Sequence, residues 1–112
     1  MLQQQIQLYK QYLQENAFYD AHEALEELWF PERFSQSNDT KLLKGFINAA
    51  VSFELQKRGR HEQSKKVWKN YLKYRNLLFQ AKKENLNHFY QLSRYVEKFQ
   101  REKSLFPHSI SI

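Results

Sequence analysis

The chain has 112 residues, enough for one modest hydrophobic core, and 41% of its residues are hydrophobic. It contains only two glycines, two prolines and no cysteine, which favours a helix-rich globule and excludes disulfide scaffolds and thiolate metal sites. Neither a secretory signal nor a run of 18 apolar residues is visible in the sequence. We therefore expect a cytoplasmic protein without a membrane partner, with one helical domain at 1–103 and a C-terminal tail at 104–112.

Charge is divided unevenly along the chain. Residues 1–40 carry two basic and seven acidic side chains, a net charge of −5, whereas residues 41–112 carry sixteen basic and five acidic side chains, a net charge of +11. Such a division fits three arrangements. The acidic and basic surfaces complement each other within the fold, or copies associate head to tail, or a basic face binds an acidic protein partner.

Helical periodicity and chain breakers predict an all-α fold, a compact bundle of about five antiparallel helices. Pro31 ends the second helix, Asn38 or Asp39 is the expected N-cap of the third, and Gly59 ends the third. The predicted helices cover residues 2–15, 18–30, 39–58, 61–82 and 85–103.

The third helix is apolar around more than half of its circumference, which places it in the middle of the bundle. Gly45, Ala49 and Ser52 form a strip of small residues along one side of it. A mid-helix glycine costs about 1 kcal/mol relative to alanine. We therefore expect another helix to approach this strip closely, with a ligand groove as the alternative.

Residues 21–29 of the second helix read AHEALEELW. At about 100° per residue, His22 and Trp29 fall within the apolar arc of this helix and Glu26 falls at its margin. Glu23 and Glu27 point further round, towards water.

Three interpretations of His22 and Glu26 remain open. In the structural one, a buried His22 is held by the Glu26 carboxylate, because unpaired buried polar groups are costly. In the second, the pair supplies one nitrogen and one oxygen ligand to a divalent metal, with further ligands from other helices. In the third, Glu26 sets the histidine tautomer for proton transfer. The pair lacks the second histidine of an H-E-x-x-H motif.

The chain resembles a bacterial and archaeal helical family catalogued as domain of unknown function number 309. The resemblance covers about residues 16–72 and implies a compact all-α bundle without an established activity. An aromatic residue followed by H-E-x-x-E-x-x-W is matched by Phe18, His22, Glu23, Glu26 and Trp29. The Q-G-x-I-Q type motif and the closing G-N are matched at three positions, Gly45, Ile47 and Gly59.

The second motif departs from the family pattern. The resemblance implies glutamines where Lys44 and Asn48 stand, and an asparagine where Arg60 stands. It implies a second histidine or other polar residue at the position of Glu54 or Leu55. It also implies a Gly-Ala pair where this chain has Gln63 and Ser64. A site between the two motif helices would therefore be altered in its second half.

The fourth helix carries a basic face opposite its apolar stripe. Val67, Tyr71, Tyr74 and Leu78 form the predicted buried stripe. Lysines on the other side could follow a phosphate backbone, contact an acidic protein, or lie in solvent. These lysines are Lys65, Lys66, Lys69 and Lys73.

The function that these patterns favour is a small non-enzymatic binding or assembly module without a required cofactor. The first alternative is a metal-dependent, hydrolase-like enzyme that uses His22 and Glu26. The second is a non-specific nucleic-acid binder that uses the fourth helix. We also expect a homodimer, because the terminal helices carry more aromatic side chains than one small core can easily bury. These aromatic residues are Tyr9, Tyr12, Phe89, Tyr90, Tyr95 and Phe99.

Overall fold

The computed structural model describes residues 1–103 and confirms an all-α bundle of five helices. Within these residues there is no β-strand. The helices are α1 (Leu2–Gln14), α2 (Phe18–Trp29), α3 (Asn38–Lys57), α4 (His61–Arg75) and α5 (Lys83–Glu102). Short 3-10 turns follow α2 at Phe30–Glu32 and α4 at Leu78–Gln80. The predicted tail at 104–112 lies outside the described residues.

The predicted end of the fourth helix is wrong. α4 ends at Arg75 rather than near residue 82, and α5 begins at Lys83, two residues earlier than predicted. Between them, the 3-10 turn places Leu78 in the core. No proline or glycine marks this break in the sequence, and the apolar spacing continues through it.

The N-cap of α3 also differs from the prediction. Ser37, rather than Asn38 or Asp39, caps the helix: its Oγ accepts a hydrogen bond from the Thr40 amide at 3.1 Å. A serine hydroxyl is as good an N-cap acceptor as a carboxylate or amide side chain. Asp39 is not needed as the cap of α3, and it caps α5 instead. Its carboxylate accepts from the Lys82 amide at 2.9 Å and from Asn85 Nδ2 at 2.7 Å, at the start of α5.

The small residues of α3 lie against α4, as predicted. A Cβ atom built on Gly45 would lie 2.8 Å from Tyr74 Cβ, so only glycine fits this contact without a shift. Two turns further along, Ser64 Oγ donates to the Ser52 carbonyl at 2.8 Å. Ser64 is thus a buried small residue at the helix crossing. The strip is occupied by α4 and is not a ligand groove.

The stripe predicted for the fourth helix is only partly buried. Tyr71 is buried, whereas Val67 and Tyr74 are half-buried. Trp68, outside the predicted stripe, packs against Phe53 and Tyr71 with ring centroids 5.8 and 4.7 Å apart.

The aromatic residues expected at a dimer surface belong largely to the core of one chain. Tyr9, Phe89 and Phe99 are buried. The other three, Tyr12, Tyr90 and Tyr95, are half-buried and packed against the core. These side chains do not form the predicted exposed aromatic patch, because α1 and α5 turn their aromatic stripes inward onto α3 and its neighbours. The dimer itself stays a prediction.

Two buried tyrosine hydroxyls have polar partners. Tyr9 donates to the Phe46 carbonyl at 2.8 Å, and burial, followed by the nearby Tyr95, raises the Tyr9 pKa far above its ordinary value. Tyr71 donates to Glu97 Oε2 at 2.7 Å, and Arg75 binds the other oxygen of that carboxylate at 2.9 Å. Burial is the main cause of the strongly raised Tyr71 pKa, and the hydrogen bond to Glu97 is the second cause.

None of the helices formed by residues 2–102 combines the length and apolar character that a membrane crossing requires.

Candidate binding site between the two motif helices

The two helices that carry the sequence motifs, α2 and α3, lie side by side and antiparallel. The end of α2 meets the start of α3, where Lys44 Nζ lies 4.4 Å from the centre of the Trp29 ring. The start of α2 meets the end of α3, where Phe18 and His22 line a groove together with Leu55. The fold therefore brings together the two halves of the motif pattern.

This groove, which we call the α2–α3 groove, has a volume of about 300 Å³. Apolar and aromatic side chains make up most of its lining, and three polar side chains complete it. The lining residues are Phe18, Tyr19, Val51 and Leu55, with His22, Glu54 and Arg58. Arg58 Nε and Glu54 Oε2 form an ion pair at 2.6 Å, so these two charges neutralise one another at the mouth.

His22 and Glu26 form the predicted contact, with Nε2 3.4 Å from Oε2. The other ring nitrogen lies 3.1 Å from the Tyr19 carbonyl oxygen. A carbonyl oxygen only accepts, so His22 Nδ1 donates this bond. The prediction of a buried pair is wrong in degree: the side chains are 18% and 38% exposed. The two residues lie one helical turn apart on α2; His22 lines the groove, and water reaches both side chains.

The residues around His22 do not complete a metal site. Within residues 1–103, no three histidine, aspartate or glutamate side chains converge in a way that could hold a metal ion. His22 and Glu26 would supply two ligands, whereas zinc sites in proteins use three or four. A metal at this pair would therefore need ligands from water or from another molecule.

Trp29 occupies the opposite end of the α2–α3 seam. Lys44, which stands where the resemblance implies glutamine, lies over the indole ring as a cation–π partner. Asn48, at the second glutamine position, donates from Nδ2 to the Lys44 carbonyl at 2.9 Å. Of the two substituted positions, Lys44 thus contacts Trp29, whereas Asn48 bonds the backbone of its own helix.

A family model described as Domain of unknown function (DUF309) matches residues 6–67. This chain belongs to that family. The match contains α2, α3 and the groove between them, and it starts in α1, earlier than the resemblance indicated. The description names no activity. Comparisons with curated proteins and with solved structures find no match.

The DUF309 region also carries an acidic, aromatic outer surface on α2. Glu23 and Glu27 are exposed, as predicted, and Asp20 is exposed beside them. Tyr19 is exposed as well, and its pKa is raised, first by a hydrogen bond with Glu23 and then by that carboxylate's charge.

A cluster of Phe30, Arg33 and Phe34 follows α2. Sequence reasoning missed it, because it placed Phe30 at the end of the second helix and only a loop between the second and third helices. The Arg33 guanidinium lies 3.6 Å from the Phe30 ring centre and 4.6 Å from that of Phe34. Its Nη1 also donates to the Phe30 carbonyl at 2.6 Å. Phe34 nevertheless remains 81% exposed. The sequence signal for this cluster was the R-F dipeptide at 33–34, shortly after the F-P dipeptide at 30–31.

The lysines predicted to form the basic face of α4 are all exposed, namely Lys65, Lys66, Lys69 and Lys73. A second basic surface was not predicted. It is a cleft of about 460 Å³ between α1 and α5, beyond the DUF309 match on the α5 side, and its cations are Lys10, Arg94, Lys98 and Arg101. The sequence signal for this cleft was the spacing of Arg94, Lys98 and Arg101 on α5, which are four and then three residues apart and so share one helix face.

Within residues 1–103, no ion pair joins the acidic part of the chain to the basic part. Three ion pairs of arginine or lysine and the His22–Glu26 contact form within residues 1–103, and in each case both partners lie on the same side of residue 40. The acidic α2 surface and the basic α4 surface therefore both remain available in the described fold.

Proposed function

We propose that this DUF309 protein is a non-enzymatic binding or assembly module of the cytoplasm. Its α2–α3 groove receives an apolar side chain of a protein partner, and basic residues on that partner contact the acidic surface of α2. The observation that carries this proposal is the groove itself. It is an apolar recess between the two motif helices. Helix α2 also carries exposed acidic side chains without ion-pair partners in the described fold, and one of them, Glu23, forms a hydrogen bond with the lining residue Tyr19.

The size and lining of the groove favour a side chain as the occupant. Small-molecule sites range from about 300 to 1,000 Å³ and usually contain several convergent polar groups. The α2–α3 groove lies at the lower limit of that range. Two of its polar groups, Glu54 and Arg58, already bind each other, which leaves His22 as the remaining polar group at the mouth.

The charge around the groove favours a basic partner. Asp20, Glu23 and Glu27 are exposed on the same helix that supplies Phe18, Tyr19 and His22 to the groove. Complementary charge speeds encounter and selects partners, while an apolar anchor in a pocket supplies affinity.

A pair of short peptides tests this proposal. The probe is N-acetyl-Lys-Phe-Lys-amide, and N-acetyl-Glu-Phe-Glu-amide is the matched control with the same anchor and opposite charge. At millimolar peptide, we expect the lysine peptide to shift the amide NMR signals of residues 18–22 and 51–58, because its ring enters the groove. The glutamate peptide should shift them much less.

A groove-filling variant, Leu55→Trp, should abolish those shifts, whereas Gln63→Trp, on exposed surface of α4, should retain them. The proposal fails if the lysine peptide leaves both segments unchanged, or if the two peptides act equally.

The basic cleft between α1 and α5 favours a second candidate function, polyanion binding. Glu97, the acidic group lining the cleft, is already bound by Tyr71 and Arg75. A single-stranded oligonucleotide should then bind with a steep dependence on salt. Arg94→Glu with Lys98→Glu should weaken that binding more than Lys82→Glu with Lys83→Glu. Equal effects of the two double variants would rule out a defined polyanion site in the cleft.

A further inference from the structure

Two exposed helical surfaces of this protein carry opposite charges at the same spacing. On α2, Asp20, Glu23 and Glu27 are separated by three and then four residues; we call them the acidic ladder. On α4, a lysine ladder repeats this spacing, and its members are Lys66, Lys69 and Lys73. At 100° per residue, the three members of each ladder fall within an arc of about 60°.

All six side chains are exposed, and none forms an ion pair within residues 1–103. α2 and α4 both pack against α3 but through different sides of it. Lys44 contacts α2, whereas Gly45 contacts α4. The ladders therefore lie on separate helices of one molecule, and each retains its net charge for an external partner.

We propose that a second copy of this chain is the basic partner: its lysine ladder docks on the acidic ladder beside the α2–α3 groove. This inference rests on the proposed function and names the partner of that same site. The contact joins unlike surfaces. Two copies that make it reciprocally would use it twice and close into a dimer.

The spacing of the ladders allows three pairs at once. If α2 and α4 of the two copies run parallel, Asp20 pairs with Lys66, and the other two pairs follow in register. If they run antiparallel, Asp20 pairs with Lys73 and Glu27 with Lys66. The central pair is then displaced by one residue, about 1.5 Å along the axis, which a lysine side chain easily spans.

Charge selects this partner, and apolar contact must supplement it. An exposed ion pair strengthens an association by about 1.4- to 5-fold, so three pairs give at most roughly 100-fold. Tyr19 and Phe30, both exposed, stand at the two ends of the acidic ladder. They provide aromatic surface of the kind that is enriched at interfaces.

Reversal of one ladder at a time, followed by mixing, tests the proposal. One variant carries D20K, E23K and E27K, and the other carries K66E, K69E and K73E. Sedimentation velocity at low salt should show association of the wild-type chain, at least 10-fold weaker self-association of each variant, and recovery in a 1:1 mixture. In the mixture, the retained lysine ladder of the first variant meets the retained acidic ladder of the second, and the two reversed ladders also carry opposite charges. Association of the wild type should weaken as salt rises.

Matched controls reverse the same number of charges elsewhere. E15K with E32K and E84K, and K82E with K83E and K103E, change exposed residues outside the ladders. These variants should self-associate like the wild type, apart from a shared effect of net charge. Circular dichroism melts check that all variants remain folded.

Several results would overturn the inference. These are a wild-type chain that stays monomeric at millimolar concentration and low salt, ladder variants that still associate alone, or a mixture that stays monomeric. If the wild type is monomeric and binds an oligonucleotide, and the variant with K66E, K69E and K73E does not bind it, the lysine ladder binds nucleic acid instead of a second copy. If the lysine peptide still binds the α2–α3 groove, only the identity of the partner fails; if the peptide also fails, the proposed function fails too.

Discussion

Gly45 and Tyr74 cross so closely that a Cβ atom on residue 45 would lie 2.8 Å from Tyr74 Cβ. The contact is with the first side-chain atom of Tyr74, which moves only if the α4 backbone moves. Overpacking of this kind costs about 1–3 kcal/mol, while alanine gains up to about 1 kcal/mol in helix propensity. We therefore expect Gly45→Ala to lower the free energy of unfolding by about 1–2 kcal/mol, measured by urea denaturation.

Variants of Tyr74 test whether the close contact, rather than a general effect of alanine on the helix, causes this loss of stability. Tyr74→Ala keeps the Cβ atom, so the penalty of Gly45→Ala should persist in that background. Tyr74→Gly removes the atom, so the penalty should disappear there. An increase in stability from Gly45→Ala alone would contradict the close crossing.

Asp39 joins the start of α3 to the start of α5. Its carboxylate accepts from the Lys82 amide and from Asn85 Nδ2. Loss of a capping acceptor costs about 0.5–2 kcal/mol. Asp39→Ala should therefore lower stability by that amount and speed amide hydrogen exchange at Lys82. Asp20→Ala, at an exposed position of α2, is the control; equal exchange at Lys82 in both variants would mean that Asp39 is not a cap.

The helix count and the central position of α3 could be predicted from the sequence, because Pro31 and Gly59 mark ends and the apolar residues follow the helical period. The end of α4 could not, since Tyr74 and Leu78 continue that period across the break. Leu78 is buried in the following 3-10 turn, so the apolar spacing is satisfied there without a continued helix. The local sequence pattern does not show whether tertiary packing favours a longer helix or a turn at this point.

The candidate site was only half accessible to sequence reasoning. His22, Glu26 and Trp29 could be placed on one helix stripe from their spacing. Opposite His22, the resemblance indicated Glu54 or Leu55. Val51 and Arg58 could not be assigned, because their position depends on how far α3 slides along α2. The motif resemblance pointed to this region, and the packing of the two helices defines the groove.

The two deeply buried tyrosines predict loss of stability in alkali. An unfolded tyrosine ionises near pH 10, whereas the pKa values of Tyr9 and Tyr71 in the folded chain are raised, mainly by burial. Below pH 10 both states keep the protons, so the stabilisation is fully present. Above pH 10 the folded state binds more protons than the unfolded state, so the free energy of unfolding falls, by up to about 1.4 kcal/mol per pH unit for each tyrosine.

Phenylalanine variants measure this contribution. Tyr9→Phe and Tyr71→Phe should each make the fall in stability above pH 10 shallower by about one proton, even though each loses a hydrogen bond at neutral pH. Tyr12→Phe, at a half-buried position of α1, is the control. Identical alkaline slopes in all three variants would show that neither buried hydroxyl controls the transition.

His22 and Glu26 should contribute modestly to stability, because water reaches both side chains. Exposed ion pairs are worth about 0.2–1 kcal/mol, so we expect Glu26→Ala to cost less than about 1 kcal/mol. His22→Ala should cost more, about 1–2 kcal/mol, because it also removes a wall of the groove and the contact with the Tyr19 ring, 5.2 Å away. A double-mutant cycle at pH 6 should give a coupling below about 1 kcal/mol that shrinks with added salt.

The same variants decide between the structural and the metal interpretations of the pair. A ligand that binds only the folded state raises the melting temperature by mass action. If the pair is structural, zinc or manganese should leave the melting temperature of the wild type and of both alanine variants unchanged. A stoichiometric metal that stabilises the wild type and neither variant would make His22 and Glu26 metal ligands. The further metal ligands, which residues 1–103 do not supply, would then come from water or from a second chain. Melts repeated over a range of protein concentrations would distinguish these two sources, because only binding by a second chain depends on protein concentration.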